Sequence, residues 1–438
     1  MLERKIENYI KDFFVSNEQK ILIIDGARQT GKTFIIRKIG KSMFKNFIEI
    51  NLLDDRLNDH YFEDVRSVLD FYLQLSSLYG SKLGQKEDTL IFLDEIQAYP
   101  HLLTLLKFLN QDNRFTYIAS GSELGITLFN TLSIPMGSID VKHLYPLDFE
   151  EFLWANGVGK DFIAHCREMF LARKSLQPNF HKRMLELFQK YLLVGGLPEA
   201  VQSFVDNTNI ATVRKIQKQI HNYYGVDASR YDLENRLKIR RIYDMIPSVL
   251  ENKKKRIVAR DIEGMESKRF KDYQDEFDYL IASGIALDVK AISTPVFPLV
   301  ETMSKNLLKL YLNDVGILTG ILYKNNINAI LNDERSINLG TVYESVVAQE
   351  LKAHGFNLFY YDNKQKGEVD FLIDDYDSLS VLPLEIKSGK DYYVHSALNS
   401  FLKNKDYSVK SAIVFCNNAT VEQENGITYM PIYYVMFL

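Results

Sequence analysis

Ile21 Leu22 Ile23 Ile24 Asp25 Gly26 Ala27 Arg28 Gln29 Thr30 Gly31 Lys32 Thr33 is the stretch that decides the fold. Its first five residues form an unbroken apolar run closed by an acid, the pattern of a strand buried on both faces. The next eight follow Gly-x4-Gly-Lys-Thr, the pattern of a phosphate-binding loop. Two glycines let the backbone turn tightly and aim N–H groups at phosphate oxygens, and a following helix adds the positive end of its dipole. Lys32 is then placed for the β- and γ-phosphates and Thr33 for Mg²⁺. At average composition a chain of this length matches the four fixed positions by accident on the order of once in a hundred. The preceding strand and the apolar Phe34, Ile35 and Ile36 lower that further.

Length and composition narrow the classes. A chain of 438 residues, 46% apolar, is too long for one ordinary core, so two or three domains are expected. The net charge of -4 supplies no global field that would draw the chain onto nucleic acid, so such a contact must use a local patch. Cys166 and Cys416 are too few for a disulfide framework or a cysteine-based zinc site, which implies a reducing compartment. The amino terminus has no signal-peptide pattern, and no stretch reaches the ~18 apolar residues of a membrane span. A cytoplasmic protein without a membrane partner is expected.

Along the chain, strand-like runs at Ile21 to Asp25, Phe47 to Asn51, Thr89 to Leu93, Phe115 to Ala119 and Ile139 to Leu144 alternate with helical ones. This alternation predicts an α/β domain over 1–155 with a parallel sheet. Residues 156–225 turn to helical periodicity, broken at Gly195 Gly196 Leu197 Pro198, and are expected to form a helical lid. Residues 226–305 carry short amphipathic helices and then an extended run from Ile281 to Lys290, an order that fits a winged-helix-like segment. Residues 306–438 place a helix at Thr341 to His354 before strands around Leu358, Val369, Leu384 and Ile413, as a small α/β domain would.

A second strand, Thr89 to Leu93, ends in Asp94 and Glu95. In a phosphate-loop enzyme an acid at this strand end reaches Mg²⁺, here Asp94, and its neighbour polarises the attacking water, here Glu95. A solvated acidic turn is the alternative, disfavoured by the phosphate loop upstream. A third strand ends at Ser120 Gly121 Ser122. Ser120 is the candidate for sensing the γ-phosphate, with Ser122 close behind, and turn formation is the competing role for both.

These motifs, together with Leu93 to Gln97 and Leu144 Tyr145 Pro146 Leu147 Asp148 Phe149 Glu150 Glu151 Phe152 Leu153, resemble prokaryotic AAA-type ATPases that carry a C-terminal restriction-endonuclease-like domain. The resemblance spans nearly the whole chain and implies ATP as ligand, Mg²⁺ as cofactor and ATP hydrolysis. It also implies that Gly196 and Pro198 pack on adenine, although a helix-breaking turn explains the same residues. Many members carry Gly-Arg just before the Leu-x-Pro-Leu-x-Phe stretch, where this chain has Gly137 Ser138. An arginine finger contributes roughly 10³ to 10⁵ in rate, so its absence implies slow turnover or an arginine from elsewhere, Arg28 being one candidate.

Near the carboxy terminus, Gly367 to Ile373 and Leu382 to Lys387 predict a hairpin. Residues two apart in a strand share a face, so Glu385 and Lys387 point together, and pairing brings Asp370 beside them. Two carboxylates of this kind hold Mg²⁺ and a lysine orients or deprotonates water for attack on a phosphodiester. An exposed charged hairpin is the plain alternative. By the family resemblance Glu344, on the upstream helix, supplies a further metal carboxylate.

The basic run Lys253 Lys254 Lys255 Arg256, with Arg236, Lys238, Arg240 and Arg241 upstream, is a candidate phosphate contact or a solvated helix end. No histidine cluster has metal-ligand spacing. Two outputs stay open: an ATP-controlled nuclease-like domain acting on DNA or RNA, or a slow ATP-dependent signalling or docking protein whose nuclease-like domain holds a protein partner. A ring-forming motor is a third expectation. Sequence leaves the oligomeric state open.

Overall fold

The computed structural model describes residues 2–16, 18–122, 124–125, 137–231, 236–324, 326–331, 339–363, 367–388, 393 and 396–438. The chain divides into two compact units, one made of Glu3–Tyr145 with Ala282–Gly284, the other of Pro146–Ile281 and Ile285–Leu438 with the first two residues.

In the first unit, β1 (Ile21–Asp25), β2 (Asn46–Asn51), β3 (Thr89–Asp94), β4 (Thr116–Gly121) and β5 (Ile139–His143) form a parallel sheet in the order β2-β3-β4-β1-β5. The period of two decides what each strand buries. Ile21 and Ile23 join one core with Ile91, Leu93, Phe71 and Leu106, while Leu22 and Ile24 join another with Ile10, Ile36, Phe92 and Ile118. Both faces are covered, which is why these strands read as continuous apolar runs. The chain leaves β1 for the far edge, returns through β3 to β4, and then crosses β1 to β5. This reversal opens a crevice at the carboxyl ends of β1 and its neighbours, the place where open α/β sheets bind ligands.

The second unit opens with helices Phe149–Ala155, Lys160–Leu171, Pro178–Val194, Pro198–Asn207, Ile210–Tyr231 and Arg236–Leu250. Asp148 and Glu151 form a reciprocal capping box that starts the first of these. Pro198 opens its helix at the first turn, where its missing N–H costs nothing.

The sheet of this unit has eight strands: β6 (Ala286–Ile292), β7 (Met303–Leu312), β8 (Phe359–Asn363), β9 (Gly367–Asp375), β10 (Ser380–Ile386), β11 (Ala412–Cys416), β12 (Glu422–Glu424) and β13 (Ile427–Pro431). Their order is β12-β13-β11-β10-β9-β8-β6-β7, with parallel and antiparallel pairs mixed. Helices Arg236–Leu250, Ala259–Glu263 and Gln274–Ala282 followed by the β6–β7 hairpin are in the order expected of a winged-helix-like segment. The hairpin is nevertheless continuous with the carboxy-terminal sheet, because β6 pairs in parallel with β8. The expected lid, winged-helix-like and nuclease-like segments therefore share one compact unit, and β7 runs across residues 305 and 306. Among the described residues no helix is long and apolar enough to cross a membrane.

Candidate functional site

The phosphate loop is built where β1 ends. Gly26 and Gly31 adopt φ of 141° and 95°, values that side chains rarely tolerate. A Cβ on Gly26 would stand 2.3 Å from the Leu144 carbonyl oxygen, so the loop passes flush against the next strand's exit. Thr30 Oγ1 donates to the Ala27 carbonyl at 2.8 Å, and Arg4 holds the loop from outside through bonds to the Thr30 and Tyr145 carbonyls at 3.1 and 2.8 Å. The helix Lys32–Met43 starts at Gly31, and Lys32 Nζ donates to the Gly26 and Ala27 carbonyls at 2.7 and 2.8 Å. Gln29, in the middle of the loop, is itself left-handed at φ 65°.

Pairing of β1 with β4 and of β4 with β3 brings the expected side chains together. Thr33 Oγ1 lies 3.1 and 3.2 Å from the two Asp94 carboxylate oxygens, and Ser120 Oγ donates to Asp94 Oδ1. Asp94 and Ser120 are buried, at 3% and 0% exposure, so this carboxylate depends on those hydroxyls rather than on water. Burial pushes the Asp94 carboxyl up and Glu95 adds to that push, while the Ser120 and Thr33 hydroxyls resist it. Burial pulls the Lys32 ammonium down, opposed by Glu95, Asp25 and Asp94, with Arg28 acting in the same sense as burial. A half-buried threonine hydroxyl on a buried carboxylate, beside a buried lysine, is a donor set that fits a Mg²⁺–triphosphate.

Glu95 sits at φ 55°, a left-handed conformation that side chains adopt at a cost of order 1–3 kcal/mol. Its Oε2 accepts from Gln97 Nε2 at 2.5 Å and from Ser122 Oγ at 3.0 Å. Ser122 is thus a neighbour of Glu95 rather than of Asp94, and Arg28 Nε donates to its Oγ at 3.3 Å. Sequence reasoning missed Arg4, Gln97 and the pair His143 Nδ1 with Asp25 Oδ2 at 3.1 Å. Gln97 was visible two residues beyond Glu95, but nothing local marked its role. Arg4 and His143 carry no spacing signal.

Gly137 and Ser138 form the turn before β5, and the Ser138 carbonyl accepts the Ile21 N–H at 2.9 Å, so this position offers no cation. Gly196 and Pro198 belong to the other unit. There the Gly196 N–H donates to Asp314 Oδ2 at 2.6 Å, its carbonyl accepts from Leu147, and a Cβ would stand 2.0 Å from the Leu147 carbonyl oxygen. Close backbone approach alone requires this glycine. Asp314, also unanticipated, caps the helix Val315–Leu322 through Ile317 N–H, and burial pushes its carboxyl up to about 6.

At the carboxy-terminal cluster, β9 and β10 pair antiparallel with Leu384 opposite Phe371, which sets Asp370 beside the end of β10. Asp370 Oδ2 accepts from the Ile386 N–H at 2.8 Å, and Lys387 Nζ reaches Glu385 Oε1 at 2.7 Å. Glu344 is bound by Lys255 Nζ and by the Tyr311 hydroxyl, the latter at 3.2 Å, and Lys309 pairs with Glu368 at 2.6 Å. Burial pushes the Asp370 carboxyl well up, reinforced by Glu385 and Glu344 and countered by Lys309 and Lys255. Burial also raises Glu385 despite Lys387. The three-carboxylate set of Glu344, Asp370 and Glu385 expected from sequence is not assembled: among the described residues no group of three or more His, Cys, Asp or Glu is arranged to hold a metal ion. The physical reason is competition, since lysines already compensate Glu344 and Glu385. Lys255 and Lys309, from distant segments, were not anticipated in this cluster.

Of the basic residues upstream, Lys238 pairs with Glu276, Arg240 with Asp244, and Arg241 donates to the Ile262 carbonyl. The Arg236 side chain lies outside the described residues. Arg256, Arg260, Lys268, Arg269 and Lys271 line an open cleft of about 500 Å³ in which, among the described residues, Glu266 is the one acid of the lining. Asp362, Asp261 and Glu263 offset Arg256, Arg260 and Lys268 in part. Residues 236–271 hold twelve lysines and arginines against five acids, in a chain whose net charge is -4.

Residues 18–153 match the AAA domain family, which covers the loop, Asp94, Glu95 and Ser120. Residues 185–328 and 339–435 match two families each described as a domain of unknown function, DUF8612 and DUF4143. No curated protein matches the chain. Among solved structures the chain is similar to a Walker-type ATPase of Pyrococcus abyssi, 13% identical over 73% of this chain and 96% of that one, with a TM-score of 0.44. It is also similar to the ORC1 protein of Aeropyrum pernix in complex with DNA, at 14% identity, 76% and 94% coverage and a TM-score of 0.32. The RuvB Holliday junction branch migration motor of Thermotoga maritima gives 12%, 65% and 89%, and 0.31. The amino-terminal part is an AAA-type P-loop domain, a fold that binds nucleoside triphosphates.

Proposed function

We propose that this chain is an Mg²⁺-dependent ATPase of the AAA type whose nucleotide state controls its carboxy-terminal unit, a restriction-endonuclease-like module acting on nucleic acid. One observation carries the ATPase reading: Thr33 and Ser120 converge on the buried Asp94 carboxylate next to the Lys32 loop. The segment Gly26 to Gly31 would cradle the phosphates, Lys32 would offset charge on the β- and γ-phosphates, and Thr33 with Asp94 would hold Mg²⁺. Bound there, Mg²⁺ neutralises charge developing on the transferred phosphoryl oxygens. Glu95 is the candidate to orient the attacking water, and Gly196 with Pro198 is the candidate adenine contact by family resemblance.

For the carboxy-terminal unit, Asp370, Glu385 and Lys387 on one hairpin end support phosphodiester chemistry, with Glu344 as an accessory acid. The basic cleft supports a nucleic-acid backbone, DNA or RNA, since Arg256 lines it while its neighbour Lys255 binds Glu344 in the carboxylate cluster. A second reading has specific support. Gly137 and Ser138 supply no arginine, and Glu95 is held by Gln97 and Ser122. Both features favour a slow ATP switch whose carboxy-terminal unit holds a protein partner.

One experiment tests the proposal and separates the readings: ATP binding by calorimetry, ATP turnover, and Mg²⁺- or Mn²⁺-dependent nicking of DNA and RNA, each for wild type and Lys32→Ala. The proposal expects binding and turnover to fall at least about 100-fold in the variant, with nucleotide-dependent nicking lost. Unchanged turnover in Lys32→Ala refutes the site, and tight ATP binding without any nicking favours the second reading.

A further inference from the structure

We infer that the groove between helices Ile210–Tyr231 and Val315–Leu322 is a binding site for a small organic anion with an oxyanion head and an apolar body. The groove encloses about 540 Å³, a volume typical of small-molecule sites, ~300–1,000 Å³. On the first helix Arg214, Gln217, Lys218, His221 and Asn222 recur at the spacing of one helical face. The second helix answers with Ile317, Gly320 and Ile321, and Lys215 and Lys324 complete the lining. Among the described residues no carboxylate lines the groove, although the chain as a whole is acidic. The nearest acids are committed elsewhere: Asp314 accepts backbone N–H groups of Gly196 and Ile317, and Asp244 faces His221 and Arg240.

Arg214 decides the ligand class. Its Nη1 alone serves the Leu193 and Gly316 carbonyls, Gln217 Oε1 and Thr319 Oγ1, at 2.9 to 3.2 Å. Its Nε and Nη2 are buried and, among the described residues, have no hydrogen-bond partner. Those two nitrogens form the side-on fork of the guanidinium, the edge whose parallel N–H bonds match a carboxylate or phosphate, and because both are sealed from solvent an oxyanion head would reach them by displacing a lining side chain. A purely structural arginine would be explained by Nη1 and would leave two buried donors unsatisfied, each at about 1–3 kcal/mol. Burial pulls this guanidinium down to about 10, so it remains a cation at neutral pH. The floor is apolar at Ile317 and Ile321. Gly320 keeps it open, since a Cβ there would come within 3.1 Å of Gln217 Oε1.

The test is calorimetric titration of the full chain with hexyl phosphate, hexanoate and inorganic phosphate, in wild type, Arg214→Gln, Lys218→Glu and Lys32→Ala. The inference expects one-site binding of hexyl phosphate or hexanoate, weakened about 10- to 100-fold by Arg214→Gln. Lys218→Glu, at an exposed rim position, should weaken it as well while leaving the buried network intact. The preferred head group identifies phosphate or carboxylate. Binding that survives in Lys32→Ala belongs to this groove and not to the phosphate loop, so the ATPase reading is tested separately. Failure of all three probes to bind, equal affinity in wild type and both groove variants, or inorganic phosphate matching hexyl phosphate would overturn it.

Discussion

Asp370→Asn should make the carboxy-terminal unit more stable, and increasingly so as pH rises. Burial pushes the Asp370 carboxyl well above its ordinary value, and Glu385 and Glu344 repel its charge from 7% and 4% exposed positions. A carboxylate taken from water costs several kcal/mol. Three features reduce that here: the Ile386 N–H bond at 2.8 Å, attraction from Lys309 and Lys255, and the partial exposure Asp370 retains. Asparagine fills the same volume, still accepts from Ile386 and removes the charge. The net gain is then about 1–2 kcal/mol at pH 8, roughly 1.5–2 °C of Tm per kcal/mol for a unit spanning Pro146–Ile281 and Ile285–Leu438. The sign follows from linkage. An acid whose folded value lies above its unfolded one leaves the fold unpenalised below the unfolded value, and the penalty grows as pH climbs toward the folded value. The variant's advantage should therefore be small near pH 4, below or close to the unfolded value, and fully present by pH 8. Asp314, raised to about 6, adds a similar slope to both proteins and cancels in the difference. Trp154, the chain's one tryptophan, lies in the same unit and reports urea unfolding by fluorescence, with EDTA present throughout. A variant no more stable than wild type at pH 8, or a gap that closes with rising pH, refutes the reasoning.

Two further substitutions separate chemistry from packing. Ser120→Ala removes the hydroxyl bound to Asp94 Oδ1, so kcat should fall about 10- to 100-fold with ATP affinity held within about 3-fold. Losing that bond also lets burial push Asp94 higher, so the acid limb of the pH–rate profile should move to higher pH; an unmoved limb counts against Asp94 as the metal carboxylate. Gly196→Ala drives a Cβ against the Leu147 carbonyl and should cost about 3 kcal/mol or more in urea unfolding without nucleotide; normal stability with weakened ATP binding would instead favour an adenine contact.

Local signals carried the reading where they were dense. The β1 strand and its loop lie where the apolar run and the glycines put them, because period, strand end and loop chemistry agree within thirteen residues. Asp94 and Ser120 were legible as strand-end groups, and the parallel order β3-β4-β1 is what joins them to Thr33. Asp370, Glu385 and Lys387 were legible because one hairpin holds all three. Long-range partners were not. Lys255 belongs to a basic run that looks solvated in sequence, yet it turns inward onto Glu344. Lys309 lies inside β7 among apolar neighbours and is fully buried, a position that makes sense only once β6 has paired with β8. The continuity of the β6–β7 hairpin with the carboxy-terminal sheet escaped for the same reason.

The two acidic centres are compensated by different chemistry, and that difference bears on which one is ready for a cation. Asp94 is bonded by the neutral hydroxyls of Thr33 and Ser120, so on the proposed reading its carboxylate charge would be open to a divalent ion that Asp94 and Thr33 would hold. Glu344 and Glu385 are already neutralised by Lys255 and Lys387, and an ion can bind them only by displacing or swinging those lysines. Asp370, to which no lysine is bonded among the described residues, is the acid that would begin such an exchange. On the proposed reading, the amino-terminal centre would take a metal–nucleotide without breaking an ion pair at Asp94. The proposed carboxy-terminal site would first have to give up its lysine pairs, as a nucleotide-controlled output would require.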